Sequence, residues 1–413
     1  MDGPNFIALA IPLFFLFIGV ELLVAHRRRV KAFHFADAIT DLSCGVTEQV
    51  VGFFPAAALA GLYIFTYDHY RLVTFAPSSF VMWTLAILGV DVLYYWWHRL
   101  SHTVNFMWAV HVVHHTSEDF NLAVALRQAV LTDFSLSPFY LLLALGGVTP
   151  VAVFTVRSLS TLYQFWIHTE MIGKLGPLDR WINTPSAHRV HHGVNKQYVD
   201  RNYAAVFMIW DRLFGSYEPE GELCVYGISK PLHSFNPLWA QFHYWAELWR
   251  MARAAPSLAL GLQVFFRSPG WHPPWLPARP SSLPQPLTPR TFVKYEVAAR
   301  PGVQWYVGVQ FALAAFATFA LLMWGEQMGL RSAVAVAALT LISLSAWGAL
   351  LEAKAWGPML ERGRLILGCA VCAACLWWTD KPLYWVVPAA AVAAASILWL
   401  GRSTAGAPAA QPA

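Results

Sequence analysis

The chain has 413 residues, 57% hydrophobic and only 12% charged, with a mean hydropathy of +0.46. Soluble domains carry about 25% charged residues, so this composition excludes an ordinary soluble globular protein and points to a polytopic membrane protein. The net charge of +5 comes mostly from basic residues in short loops beside apolar runs. That is topological information, and it argues for no nucleic-acid partner.

The first apolar run, about Phe6 to Ala25, is long enough for a membrane helix, which needs roughly 20 residues. It has no basic leader, and His26-Arg27-Arg28-Arg29 follows it, so it reads as a retained anchor rather than a cleaved signal. Positively charged ends favour the cytoplasm, which places the N-terminus outside. A second span is expected over about Val46–Thr66 and a third over about Phe80–Trp97. Counting sides, the chain returns to the cytoplasmic face as it reaches His98.

Asn121–Phe134, with Arg127 and Asp133, reads as an interfacial helix. It leads into a span around Leu136–Gly147, a Gly-Gly-Val-Thr-Pro turn at Gly146–Pro150, and a return span ending near Trp166. His168 therefore comes back to the same face. Gly173 to about Pro301 is the least apolar part and includes PGWHPPWLPARPSSLPQPLTPR, too rich in proline for a helix and read as linker or surface wrap. Further spans over about Val303–Trp324, Ser332–Leu351, Leu365–Trp378 and Leu383–Leu400 bring the expected total to about nine.

The expected fold class is thus all-α, a polytopic membrane helical bundle with a histidine-rich di-metal site at the cytoplasmic face. The expected organisation is N-terminal membrane spans over 1–79, a catalytic region over 80–250, a Pro-rich linker over 251–301, C-terminal spans over 302–402 and a disordered tail over 403–413. Ala and Arg richness with short loops points to a bacterial inner membrane. The cysteines, Cys44, Cys224, Cys369, Cys372 and Cys375, suggest no disulfide framework. The last three sit in an apolar run where small residues let helices pack closely.

Chemistry concentrates in the histidines. His98 and His102, then His111, His114 and His115, then His188, His191 and His192 recur at helical i, i+3 and i+4 spacing, with His168 alone between them. Three such faces converging would surround a small volume with neutral imidazole, which suits iron, zinc and copper. Nine ligands exceed what one tetrahedral site uses and fit two metal ions close together. His26, His34, His69, His233 and His272 lack partners at this spacing and read as surface or loop residues, while His243 stays undecided. No carboxylate lies within a histidine triplet, and HExxH is absent. Spacing alone leaves iron with dioxygen chemistry and zinc with hydrolysis both open. A metal or proton transporter is disfavoured by histidines gathered at one face.

Several other residues stand near these clusters. Asp91, seven residues before His98, either orients an imidazole through its outer nitrogen or is a helix-end charge. Ser117, Glu118 and Asp119 either cap a new helix or hydrogen-bond ligand histidines. Arg127 and Gln128 line the approach, or Arg127 pairs with Asp133 or a lipid phosphate.

The ordered motifs HRLSH, HVVHH, His168 and HRVHH resemble the fatty acid hydroxylase or sterol desaturase superfamily of membrane di-iron enzymes. Within it, WWHRLSHTVNFMWAVHVVHHTSEDFNLAVALRQAVL, LYQFWIHTEMIGKLGPLDRWINTPSAHRVHHGVN and DRNYAAVFMIWDRLFGSYEPE are similar to the glyceryl-ether-cleaving alkylglycerol monooxygenase branch. The resemblance covers about Asp91 to Trp249. It implies nine histidine ligands, two iron ions, O2 as co-substrate, a lipid substrate from the bilayer, and hydroxylation of the carbon next to an ether oxygen. Sterol, carotenoid or fatty-acyl hydroxylation or desaturation is the alternative within the superfamily. Asn105, Glu118, Asp119 and Asn121 match the family pattern. Thr103 departs from it. Animal members carry Glu there, linked to tetrahydrobiopterin, and an acid can hold a donor's amino groups by charge-assisted hydrogen bonds. The electron donor, pterin or an electron-transfer partner, is therefore left open by this position.

Overall fold

The computed structural model describes residues 6–277, 283–284 and 287–404. The tail from 405 and part of the Pro-rich stretch lie outside the described residues. In chain order the helices are α1 (Phe6–Arg28), α2 (Phe35–Gly52), α3 (Ala56–Tyr70), α4 (Phe80–Thr103), α5 (Asn105–His115), α6 (Thr132–Leu145), α7 (Pro150–Trp166) and α8 (Pro185–His192). They continue as α9 (Ile209–Leu213), α10 (Pro237–Arg253), α11 (Leu258–Phe266), α12 (Pro301–Met328), α13 (Leu330–Leu351), α14 (Gly357–Trp378) and α15 (Val386–Thr404). Among the described residues no strand forms, only isolated bridges such as Ile182 with Phe207.

Two compact units are present. The first gathers the chain through Phe33 with Phe54–Leu232 and Gln241–Lys294, and the second gathers His34–Phe53, His233–Ala240 and the chain from Tyr295. In the first unit α4 is central. Ser79 caps it by accepting from the Met82 amide at 3.3 Å, and its 24 residues span about 36 Å at about 1.5 Å per residue. That exceeds a hydrocarbon core of about 30 Å, so the last turn, with His102, can project past it. At Val104 the backbone turns extended (φ −124°, ψ 122°) and α5 starts at once. Asn105 fixes this junction, its amide donating to the Val264 carbonyl at 2.7 Å and its oxygen accepting from Tyr244 at 2.7 Å.

A core of Met82, Ala86, Val90, Trp97, Leu136, Tyr140 and Val153 joins α4 to α6 and α7. The turn between α6 and α7 needs Gly147, which has φ +85°, and a Cβ there would lie 2.1 Å from the Val73 carbonyl. In the second unit, Val303, Tyr306, Val307, Phe311, Leu344, Trp347 and Leu351 pack with Ile39 and Leu400. Glu361, fully buried, is hydrogen-bonded there by Tyr306, Trp347 and Arg364.

Five described helical segments are long and apolar enough to cross a membrane: Leu9–Arg28, Phe80–Thr103, Pro301–Met328, Leu330–Leu351 and Leu383–Thr404. Counting α2 with α3 as one crossing makes six. The remaining expected crossings fall on α6, α7 and α14. With 14 residues, α6 reaches only about 21 Å; α7 has 17 residues; α14 carries Glu361, Arg362 and Arg364 in its first half. The chain is a multi-pass membrane protein, and length and composition support five or six crossings where about nine were expected. Two local expectations also change. Asn121–Phe134 is mostly turns around a short 3-10 segment, Val124–Leu126, before α6 begins. Within the segment read as linker, Leu258–Phe266 is helical, because its apolar run ends before the first proline of the Pro-rich stretch.

Candidate metal centre

All nine singled-out histidines converge. Their ligand-capable nitrogens form two groups, His98, His102, His111, His115 and His191 in one, and His114, His168, His188 and His192 in the other; within each, the nitrogens lie within 4.8 Å of one another. All nine side chains are buried. The division follows from helix geometry. At about 100° per residue, positions i and i+4 lie about 40° apart, while i+3 lies about 60° to the other side. In α5, His111 and His115 therefore stay in one group while His114 joins the other; in α8, His188 and His192 stay together and His191 crosses over.

Outer contacts fix ring direction. His98 Nδ1 donates to the Tyr203 carbonyl at 2.7 Å, His114 Nδ1 to that of Arg127 at 3.1 Å, His168 Nδ1 to that of Gln164 at 2.7 Å, and His191 Nδ1 to that of Arg201 at 3.0 Å. A carbonyl only accepts, so each Nδ1 carries the proton and each Nε2 turns a lone pair inward. His102 Nδ1 lies 3.8 Å from Asp200 Oδ1.

Inside, Nε2 atoms crowd together. The separations are 2.9 Å for His98 and His111, 3.1 Å for His111 and His115, 3.2 Å for His114 and His168, 2.9 Å for His168 and His188, and 3.2 Å for His188 and His192. Ligands on a common ion with metal–nitrogen bonds of about 2.1 Å stand roughly 3.0–3.4 Å apart. For His114 and His168 the proton positions are decisive, because two Nε2 lone pairs face each other at 3.2 Å and repel unless a cation lies between them. His102 Nε2 and His191 Nε2 are buried without a hydrogen-bond partner, a state that buried polar atoms rarely keep. The residues fit a pair of metal ions.

The electrostatics agree. Burial, reinforced by neighbouring imidazoles, lowers His111, His115, His168, His188 and His192 well below the usual histidine range. Burial also pulls His114 down to about 4 and His191 to about 3, although each gains from a carbonyl contact. Each of these is neutral at pH 7, the form that binds metal.

The other expected residues are placed as follows. Asp91 reaches no imidazole. Its carboxylate accepts from the Val206 amide at 2.9 Å, the Phe207 amide at 3.1 Å and the Trp210 indole at 2.7 Å, so it anchors the loop whose Tyr203 carbonyl holds His98. Asp119 pairs with Lys294 at 2.6 Å, and half-buried Glu118 lies beside Gly227. Ser117 makes a local turn with the Asp119 amide at 3.3 Å and caps no helix. Asn121 accepts from the Ala123 amide at 3.0 Å and donates to the Ala32 carbonyl at 2.9 Å. Thr103 donates to the Arg99 carbonyl at 3.0 Å. Arg127 is buried and braces the end of α5, donating to the Val113 carbonyl at 2.9 Å and to Thr116 at 2.8 Å; Asp133 pairs with Arg157 instead.

Sequence reasoning missed the braces of α8 and of the 203–216 loop. Arg189 makes a two-bond fork with Glu220, at 2.7 and 2.8 Å. Asp211 accepts from the Tyr203 and Ala204 amides at 2.8 and 2.9 Å. The motif HRVHH contains Arg189, but nothing in the sequence pairs it with a residue 31 positions away.

Comparison with known proteins accords with this geometry. A family model described as fatty acid hydroxylase matches residues 83–216. The chain is 39% identical over 371 residues to alkylglycerol monooxygenase of Homo sapiens, covering 89% of this chain and 82% of that protein. Identity to the Xenopus tropicalis alkylglycerol monooxygenase is 40% over 277 residues, covering 66% of this chain and 61% of that protein. For that of Danio rerio it is 35% over 376 residues, with 89% and 82% covered. No solved structure matches the chain. With motifs, geometry and relatives in agreement, this chain belongs to the alkylglycerol monooxygenase family of lipid monooxygenases and carries a fatty acid hydroxylase domain across its histidine clusters.

Proposed function

We propose that this lipid monooxygenase is a di-iron enzyme that hydroxylates the carbon next to the ether oxygen of an alkylglycerol. The nine histidines are the ligands, five around one iron and four around the other. The observation that carries the metal assignment is the His114–His168 pair, whose inward Nε2 atoms face at 3.2 Å while both Nδ1 protons are committed to carbonyls. The alkylglycerol assignment is supported by the names of the relatives.

Iron held there supplies the activation of O2. One oxygen atom enters the C–H bond and the other leaves as water, consuming two electrons and two protons. The product is a hemiacetal; its bond to the glycerol oxygen then breaks, the hydroxyl proton passes to that oxygen, and an aldehyde and a glycerol derivative remain. The protein's own residues position and shield. Four carbonyls fix the tautomers of His98, His114, His168 and His191, and Phe120 and Tyr226, stacked with centroids 4.9 Å apart, cover the four-histidine side. Their bulk shields that side of the centre from water.

The centre is assigned to the cytoplasmic face. Support comes from the basic end of α1, where Arg28 donates to the Met171 carbonyl at 2.9 Å, three residues beyond His168. Electrons come from a reductant or an electron-transfer partner. Thr103 offers that donor no acid, so an O2-uptake screen with pterin, ferredoxin and other reductants is the means of identifying it.

The test is anaerobic iron loading of the purified protein, followed by O2-dependent turnover of ether lipids, sterols and acyl lipids with mass-spectrometric product analysis. Aldehyde release from ether lipids, lost in His114→Ala and His191→Ala, is the expected result. Full turnover in either variant would sink the ligand assignment, and products from sterols or acyl chains alone would sink the substrate assignment.

A further inference from the structure

By composition α1 is an anchor, yet its apolar run holds a single charged residue, Glu21. Its neighbours Val20, Leu22 and Leu23 are exposed on the helix surface, whereas Glu21 is 4% exposed. A carboxyl group at this depth is costly in a membrane helix unless it is well partnered. Glu21 has two partners. Oε2 accepts from the Leu122 amide at 2.8 Å, and Oε1 accepts from the Thr169 hydroxyl.

Both partners lead to the same half of the centre. Thr169 follows His168 directly, and its hydroxyl oxygen also accepts from the Met171 amide at 2.9 Å. Leu122 lies in the loop between Phe120 and Arg127. The Phe120 ring packs against His168, His188 and His192, with centroids 5.7, 6.2 and 5.1 Å away. The Arg127 carbonyl accepts from His114. One carboxyl group therefore clamps two segments that between them carry His168, hold His114 and pack against His188 and His192. Phe14, tilted against Phe165 with centroids 4.5 Å apart, and Arg28, bonded to the Met171 carbonyl, hold the same helix against the same segment. The five-histidine group takes its carbonyl braces elsewhere, from Tyr203 and Arg201. Glu21 also lies outside the stretch 83–216 that matches the family model.

We infer that Glu21 is a positioning residue for the four-histidine metal site, making the first membrane helix part of the centre's frame as well as an anchor. This rests on the di-iron reading above. Glu21→Leu removes both acceptors and leaves the helix more apolar, so insertion is favoured. Glu21→Gln keeps an acceptor for the Leu122 amide and can donate to the Thr169 oxygen, so it serves as the conservative rescue.

The full-length protein, purified in detergent and loaded anaerobically with ferrous iron, is dialysed against a weak chelator. Bound iron is then counted and its Mössbauer components compared. Loss of a partner bonded directly to a ligand weakens metal affinity about 10–100-fold; Glu21 acts one contact further out, so the expected weakening is about 10-fold. Glu21→Leu should therefore shed iron from one site, with loss of one spectral component, while Glu21→Gln keeps both. A general loss of stability would lower the melting temperature without selecting one component. Glu21→Leu holding wild-type iron and both components overturns the inference. If that variant does not fold, Thr169→Val removes one of the two hydrogen bonds from the other side, and retention of both components there overturns it equally. Failure of the di-iron reading is distinguishable, because the wild-type protein itself would then lack the second iron.

Discussion

Replacing Glu220 by Gln should loosen the second HxxHH helix without touching a ligand. Glu220 and Arg189 are nearly buried, with side chains 12% and 8% exposed. The carboxylate accepts Arg189 Nε at 2.7 Å, Nη2 at 2.8 Å and the Ser186 hydroxyl at 2.8 Å. Arg189 Nη1 reaches the carbonyls of Thr169 at 3.0 Å and Ile172 at 2.8 Å. The fork therefore ties α8, with its three clustered histidines, to the segment after His168. Removing one partner of a buried pair costs about 3–5 kcal/mol, because the other charge is left uncompensated. Gln keeps one acceptor, which places the loss near the lower end, a drop in melting temperature of roughly 3–5 °C for a chain of 413 residues. Burial pushes the Glu220 carboxyl up, but the Arg189 and Ser186 hydrogen bonds and the guanidinium charge outweigh it and hold the group below its usual range. A depressed carboxylate stabilises fully above its unfolded value of about 4.3, and that contribution is lost as pH falls through the folded value. The gap between wild type and Glu220→Gln should thus be full near pH 7 and close in acid. Melting followed by circular dichroism across pH is the assay. A variant that melts with the wild type at pH 7, or a gap that widens in acid, would refute the reasoning.

Two further outcomes follow from the same geometry. Asp211→Asn offers one acceptor oxygen where the carboxylate served the Tyr203 and Ala204 amides separately, so a buried N–H loses its partner at a loss of about 1–3 kcal/mol. Burial raises Asp211 to about 6, and a raised acid stabilises the fold below its unfolded value and loses that contribution as pH rises through about 6. The wild type should gain thermal stability on acidification from about pH 7 to 5 through this group, and a gain of equal size in Asp211→Asn would contradict it. Metal removal should lower the melting temperature by an amount that grows with the logarithm of free metal over its dissociation constant, a stability loss of about 2.7 kcal/mol for metal at roughly 100 times that constant; no shift on chelation and none on iron return would count against bound metal.

Much of the helical scaffold was legible because apolar runs and caps are local signals. The Phe80 run and the turn at Gly146–Pro150 that leads into α7 need no tertiary information. Span number was less legible. Hydropathy registers α6 and α14 as apolar without showing that the first is too short or that buried Glu361 of the second joins a polar cluster with half-buried Arg364 and buried Gln310. The helix expected over Asn121–Phe134 failed for a related reason. Arg127 takes φ −77° and ψ 81°, outside the helical region, while its carbonyl meets His114 and its side chain ties off α5. A local pattern does not register these tertiary contacts.

The candidate site shows the same boundary more sharply. Helical spacing correctly groups His111, His114 and His115 on one broad face, and the grouping alone suggested metal. It does not show that His114 leaves its neighbours for the other histidine group, because that depends on which helices stand on either side. The crossing of His114 and His191 in opposite directions couples the two halves: α5 and α8 each contribute to both groups, so neither helix can shift without disturbing both. Braces on these helices then act on the centre as a whole, whereas a brace such as Glu21, which grips the loops beside His168 and after His115 rather than the helices themselves, can act on one half. The two classes of variant should therefore separate, with Glu220→Gln weakening metal binding by both histidine groups together and Glu21→Leu weakening it at one.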